Sequence, residues 1–244
     1  MSDIMFSMDL LIEYVHEQLK KELDSATIKK LKDYLDLILT WNKKFNLTAI
    51  TTPDEIIIKH FIDSLTCFEI LPLTGEFSMV DIGTGAGFPG IPLKLINPDI
   101  SLTLVESIGK KANFCKTVVE KLGLANVFII NLRAEEVGKD TKYRELYKYA
   151  VARAVAPLPV LVEYLLPLVK VGGSAIAMKG SNIDSECASA KNAAKILGGE
   201  IRKPIFCSLP GNLGNRSLIE VLKTSKTPTQ YPRRPGSASK KPLG

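Results

Sequence analysis

The chain has 244 residues, 45% of them apolar, with four cysteines, two histidines and a formal net charge of +6, which is enough for one large domain, or one domain with an appendage, around a buried core. It lacks an apolar run of the roughly 18 residues a membrane span needs. Met1-Ser2-Asp3-Ile4 does not open a secretory leader, Cys67, Cys115, Cys187 and Cys207 form no C-x-x-C pair, and His16 and His60 are too few for a histidine-rich metal centre; the expectation is a cytoplasmic protein with neither membrane nor metal.

Apolar residues at three and four spacing (Leu11, Tyr14, Val15, Leu19, then Ile28, Leu31, Leu35, Ile38) predict helices from residue 8 onward. Thr52-Pro53-Asp54-Glu55 reads as a capping-box start with Pro53 at the first helical position. Residues 1–73 are therefore expected to form an N-terminal helical module. From there strands and helices alternate. The spacing predicts strands at Met79–Ile82, Leu102–Val105, Val127–Ile130, Tyr149–Ala152, Ser174–Met178, Glu200–Phe206 and Leu218–Lys223. Helices are predicted from Gly90, over Lys110–Leu122 and Pro159–Val169, and at 184–197. Alternation of this kind implies a doubly wound α/β sheet of about seven strands, mostly parallel, over 74–224. Residues 225–244 are rich in Pro, Ser and Gly, a composition that does not fold alone. Six basic residues and no acid follow Glu220, leaving 26 basic against 26 acidic over residues 1–220, so the net charge lies beyond that point. Arg233 and Arg234 are accordingly expected on a flexible arm that neutralises nucleic-acid phosphates.

The first strand ends on Asp81 and runs into Gly83-Thr84-Gly85-Ala86-Gly87-Phe88-Pro89-Gly90. Glycines at alternate positions allow a sharp turn and a close ligand at the carboxyl end of the strand. Gly85 to Gly90 literally fits G-x-G-x-x-G, the pattern of a dinucleotide site. Asp81 favours instead the cationic methionine end of S-adenosylmethionine, and Pro89 and Pro92 remove donors that a phosphate would use.

Ligands of such sheets lie past the strand ends. Past the second strand, Glu106 suits the two ribose hydroxyls of an adenosine. Past the third, Arg133-Ala134-Glu135-Glu136 offers a backbone N–H and a carboxylate to an adenine edge. Past the fourth, Ala152-Arg153-Ala154 faces the transferred group. No D/N-P-P-Y stretch orients an exocyclic amine, and no proline-led cysteine marks a pyrimidine C5 transferase. A nucleophile that already carries a free lone pair, as guanine N7 does, needs no general base, so no catalytic acid or base is expected and placement carries the rate.

Taken together, Trp41-Asn42-x-x-Phe45-Asn46-Leu47-Thr48, His60-Phe61-Ile62-Asp63-Ser64, Val80 to Pro92, Arg133-Ala134-Glu135, Ala152-Arg153-Ala154 and Ala177-Met178-Lys179-Gly180 resemble the GidB (RsmG) family over residues 35 to 222. The resemblance implies a class I, Rossmann-like methyltransferase acting from S-adenosylmethionine on N7 of guanine 527, in the 530 loop of bacterial 16S rRNA, free or in the small ribosomal subunit. It implies that Gly83, Phe88, Ala134, Glu135 and Arg153 contact the cofactor, beside Asp81, Gly85 and Gly87 of the loop, with Glu106 as the ribose acid. His60, Asp63, Ser64, Lys179 and Arg216 fall at motif positions on the RNA side. His60 reads equally as a buried histidine bonded to a nearby carboxylate, and Lys179 as a solvated strand-end lysine. A monomer is expected. An NAD-type oxidoreductase on the same fold and a non-catalytic ribosome assembly factor stay open at this point.

Overall fold

A computed structural model describes residues 2–181 and 183–243. Helices α1 (Ser2–Leu19) and α2 (Ser25–Asn42) come first, the second capped by the Asp24 side chain on the Thr27 N–H. A helical stretch over 53–69 follows. It starts as α3 (Pro53–Ile56), widens to a π-helical turn at Ile57–Ile62, returns to α-helix in α4 (Asp63–Leu65) and tightens to a 3-10 turn at Thr66–Glu69. Thr52 and Pro53 stand at the N-cap and first helical positions as anticipated, but the capping box does not form: Thr52 Oγ1 donates to Glu55 Oε2 at 3.0 Å instead of either side chain taking a backbone N–H.

Next come β1 (Phe77–Ile82), α5 (Gly90–Ile96), β2 (Ile100–Val105), α6 (Gly109–Leu122), β3 (Val127–Ile130), α7 (Ala134–Lys139), β4 (Tyr147–Arg153), α8 (Leu158–Leu165), β5 (Val169–Lys179) and α9 (Asp184–Ile196). The chain continues through β6 (Gly199–Ile201), β7 (Ile205–Ser208), β8 (Asn215–Lys223) and α10 (Ser237–Lys240). Strand order is β3-β2-β1-β4-β5-β8-β6, with β7 also on β8. The first five strands run parallel, whereas β8 is antiparallel to β5, β6 and β7. The single strand anticipated over 200–206 is split, because Pro204 cannot donate to a ladder; both halves lie on β8, giving an eight-stranded sheet.

Period-two alternation sorts the central strands between two cores. Met79, Leu102, Leu104, Val151 and Ile176 face one side, and Val80, Ile82, Ala150, Ala152 and Ala177 the other. Both faces are dry, as parallel strands under crossover helices require. The first core is continuous with Leu11 and Val15 of α1, Leu31, Tyr34, Leu35 and Ile38 of α2, and Ile57 and Phe61 of the π turn, so the N-terminal helices are the cover of that sheet face. The order reverses between β1 and β4, and there the ligand crevice of such a sheet opens.

The tail departs from expectation: residues 224–243 are packed, not free. Arg144 donates to the carbonyls of Gly138, Thr227, Pro228 and Tyr231 at 2.7 to 3.2 Å. Arg233 grips the fully buried Glu163 through Nε and a terminal nitrogen at 2.6 to 3.2 Å and through its own N–H at 2.8 Å. Pro232 lies over Gly138, and Ala238 is buried in the second core. Lys223 is buried too, donating to the Leu166 carbonyl at 2.6 Å and facing Glu145 Oε1 at 3.2 Å. Composition misses this because the partners lie about 70 to 100 residues upstream.

Helix α2 braces the glycine loop. The buried Tyr34 hydroxyl donates to the Ala86 carbonyl, and its ring stacks on Phe61 at 5.2 Å and leans on Phe88 at 5.5 Å. A Cβ at Gly87, where φ is +95°, would stand 2.6 Å from that hydroxyl and 2.4 Å from Ile91 Cδ1. Gly87→Ala is therefore expected to lower stability by about 2 kcal/mol and Tyr34→Phe by about 1 kcal/mol, both read from urea unfolding midpoints at constant slope.

Candidate active site

The glycine loop is held from below by two carboxylates. Asp81, fully buried, accepts from Thr84 Oγ1 at 2.7 Å and the Gly90 N–H at 2.9 Å through Oδ2, while Oδ1 is buried without a partner among the described residues. Burial pushes its carboxyl up to about 6, against the pull of those two bonds and of Arg153. Glu106 accepts from the Gly85 N–H at 2.9 Å and the Ile108 N–H at 2.8 Å, one through each oxygen. An ionised carboxylate has about four acceptor sites, so capacity remains for two further donors.

Four more loop amides are also engaged. Gly83 and Thr84 donate to the Val105 carbonyl, and Gly87 and Phe88 to the Thr84 carbonyl. Six amides are thus turned inward, where a pyrophosphate would need them pointing at it. Gly83, at φ +67°, leaves a cradle against Val155, whose Cγ2 lies 2.7 Å from where a Cβ would sit; a Cβ at Gly85, at φ +60°, would meet almost nothing. Such a loop gives a ligand close backbone approach without a phosphate nest, and the spare acceptors of Glu106 and the orphaned Asp81 oxygen suit a cationic, hydroxyl-bearing ligand. These observations fit S-adenosylmethionine better than a dinucleotide.

Two cavities flank the exit of β4. One, of about 360 Å³, is lined by Ile50, Lys59, His60, Asp63, Arg153, Ala154, Met178, Lys179, Gly180 and Arg216. The other, of about 240 Å³, is lined by Ile82, Gly83, Val105, Ser107, Leu132 to Glu135, Val155, Tyr164, Gly236 and Ser239. The chain crosses between them at Ala154, whose φ of +55° is costly for a residue with a Cβ and turns Arg153 into one cavity and Val155 into the other.

In the first cavity Arg153 is the hub. It donates to the Lys59 carbonyl at 2.9 Å, to Asp63 Oδ2 at 3.0 Å and to His60 Nδ1 at 3.0 Å, and lies over the Phe88 ring at 5.1 Å. Asp63 shares its other oxygen with Arg216 Nε at 3.0 Å. His60 Nε2 meets Thr48 Oγ1 at 2.8 Å, while Nδ1 lies 2.9 Å from the Lys59 carbonyl as well as near Arg153. Nδ1 thus has both a donor, the Arg153 guanidinium, and an acceptor, the Lys59 carbonyl, within reach, while Nε2 faces the Thr48 hydroxyl. Burial, then the charges of Arg153, Arg216 and Lys59, push the imidazole down to about 3, partly opposed by the Lys59 carbonyl. His60 is thus a half-buried histidine whose fixed partners are Thr48 and Arg153, not Asp63.

Lys179 is not simply solvated: its Nζ donates to the Ala156 carbonyl and pairs with Glu186, both at 2.7 Å. Ser64 is buried and donates to the His60 carbonyl one turn back, so its hydroxyl does not reach the cavity. Arg233 lies behind α8 on Glu163, while Arg234 is exposed. In the second cavity, Glu135 Oε1 accepts from the Gly236 N–H at 2.9 Å. Thr48, Tyr34 and the tail residues Gly236 and Ser239 were missed by sequence reasoning. Thr48 had a signal, as the last residue of the motif starting at Trp41: Asn42 Oδ1 accepts from the N–H groups of Leu47 and Thr48 and fixes the loop that presents that hydroxyl.

The cysteines are free, with Cys67 and Cys115 buried, and among the described residues no group of three potential ligands could hold a metal and no helix is long and apolar enough to cross a membrane.

Known structures share the fold at low identity. A crystal structure titled M. jannaschii TYW2 in complex with AdoMet superposes with a TM-score of 0.53 at 13% identity, covering 71% of this chain and 77% of that one. A putative methyltransferase from Bacillus halodurans gives 0.51 at 12%, covering 67% and 100%. Sequence relatives are much nearer. The protein named ribosomal RNA small subunit methyltransferase G of Alkaliphilus metalliredigens is 47% identical over 93% of this chain and 95% of its own, and that of Pelotomaculum thermopropionicum 46% over 97% and 100%. Residues 27–212 match the GidB family, rRNA small subunit methyltransferase G. By that match and those relatives, this chain belongs to the GidB family of rRNA small subunit methyltransferases.

Proposed function

We infer that this protein transfers the methyl group of S-adenosylmethionine to N7 of guanine 527, in the 530 loop of 16S rRNA. The observation that carries this reading is the pair of cavities joined at the Arg153-Ala154-Val155 turn, one adenosine-sized and lined by Val105 and Ser107 on either side of Glu106, the other ringed by Lys59, Arg153, Lys179 and Arg216. Adenosine is assigned to the second cavity, with Ala134 and Glu135 at the base and Glu106 on the ribose. The methionine end is assigned to the passage beside Gly83, Gly85 and Asp81. When bound, the cofactor supplies an electrophilic methyl on a sulfonium centre.

The residues of the chain orient and exclude. The cations of the first cavity suit the phosphates beside the target base. Asp63 holds two of them, Arg153 and Arg216, in fixed geometry. Guanine N7 brings its own lone pair, so no general base is needed: His60 is held between Thr48 and Arg153, and both Asp63 oxygens are taken by Arg153 and Arg216. The reading carries with it a cytoplasmic protein that works as a monomer on 16S rRNA or the small ribosomal subunit.

The direct test is methylation of 16S rRNA, free and in 30S particles, followed by cleavage at N7-methylguanosine and primer extension. A single stop in the 530 loop is expected, and methyl transfer to another atom or no transfer would overturn the assignment. Glu106→Ala should weaken cofactor binding roughly tenfold or more, since bonds to a charged acceptor contribute about 1.5 to 3 kcal/mol each. Asp63→Asn should slow transfer by about 10²-fold, the scale expected when reacting groups shift by about 1 Å. His60 adds a pH signature. Its folded value of about 3 lies below the ordinary 6.5, so between these the unfolded chain binds more protons and stability falls as pH falls through that window. Transfer rate should show no inflection near 6.5, and His60→Gln should flatten the acid limb of stability against pH.

A further inference from the structure

The second cavity is closed on one side by residues far beyond the sheet: Gly236 and Ser239, from the basic stretch read in sequence as a flexible arm. Two of the ties that hold this stretch run to the cavity's own lining. The Gly236 N–H donates to Glu135 Oε1 at 2.9 Å, and Ser239 Oγ lies 3.2 Å from the Tyr164 hydroxyl, with Glu135 and Tyr164 both cavity-lining. Just upstream, Arg233 clamps the buried Glu163, the residue preceding Tyr164 on α8. Arg144 fastens the start of the stretch through the carbonyls of Thr227 and Tyr231. Across the cavity stand Leu132 and Val155, two of the large apolar side chains the fold leaves exposed. A slot of mixed lining, with these apolar side chains beside a backbone turn and a hydroxyl, suits a flat heteroaromatic ring with polar edges.

We propose that residues 233–239 form the outer wall of the adenosine site, so that this segment binds the nucleoside end of the cofactor and serves cofactor retention, not phosphate neutralisation. The assignment rests on the placement of adenosine in the second cavity. Arg233 acts as a positioning residue: its charge is spent on Glu163, and what it positions is the Gly236 turn. Arg234, exposed on the same loop, has no part in the wall.

The test is calorimetric titration of the full chain with S-adenosylhomocysteine and with methylthioadenosine, which keeps the nucleoside and lacks the amino-acid end. Ser239→Tyr puts a ring into the slot from an exposed position; it should weaken both ligands by roughly tenfold or more at an unchanged melting temperature. Arg233→Ala should weaken both likewise, and Arg234→Ala neither. Affinity for a 530-loop RNA fragment without cofactor should stay at the wild-type value in Ser239→Tyr. Independently of any variant, S-adenosylhomocysteine should slow amide exchange over residues 235–239 of the wild-type protein. Wild-type ligand affinity in Ser239→Tyr, or unaltered exchange over that stretch on saturation, would overturn the wall while leaving the cofactor site intact. A wild-type protein that binds neither ligand would overturn both.

Discussion

Everything around the site depends on the inward turn of the glycine loop. A loop at the end of a parallel strand normally offers its amides to a ligand, and an anion is the natural taker. Here Asp81 and Glu106 take two of those amides and the backbone carbonyls of Val105 and Thr84 take four more. The loop is thereby closed to phosphate and left with negative potential, and the same glycines that would serve a dinucleotide serve a cation. Tyr34, Phe61 and Phe88 keep the loop in that state from the side of the N-terminal helices, which is why those helices share the sheet's core.

From that loop the site extends by shared partners, not by independent side chains. Phe88 lies beneath Arg153; Arg153 is fixed by the Lys59 carbonyl, His60 and Asp63; and Asp63 reaches across to Arg216 on β8. One buried carboxylate between two guanidiniums leaves net positive charge while fixing where it points. That combination suits recognition of a polyanion whose base must arrive in one orientation. The π-helical turn at Ile57–Ile62 is what brings Lys59, His60 and Asp63 to this side, and such turns occur often at functional positions.

Much of this was legible beforehand because it is local. Strand ends follow from apolar runs that stop at Asp81, Glu106 and Arg153, and β3 starts and stops where the pattern puts it. The glycine loop states its own turn, and the motif ending in Thr48 turned out to be a loop organised by Asn42. What stayed hidden was long range. The partner of His60 could not be read from His60 and Asp63 alone, since Thr48 and Arg153 lie 12 and 93 residues away. The tail looked unfolded because it lacks apolar runs, yet it is ordered by Glu163, Arg144 and Glu135, whose side chains carry no mark of a partner 70 to 101 residues downstream. Pro204 was visible all along, and only its consequence for strand continuity was underweighted.

The position of β8 gives the site an order of assembly. This strand slots antiparallel between β5 and β6 and delivers Arg216 to Asp63, and the stretch behind it finishes the second cavity. Parallel strands β1 to β5 can pair as they emerge from synthesis, amino end first, but both halves of the pocket then still lack a side. Competence therefore comes as a late event in biogenesis: a polypeptide halted before residue 216 could carry most of the hydrophobic core and still have neither chamber complete.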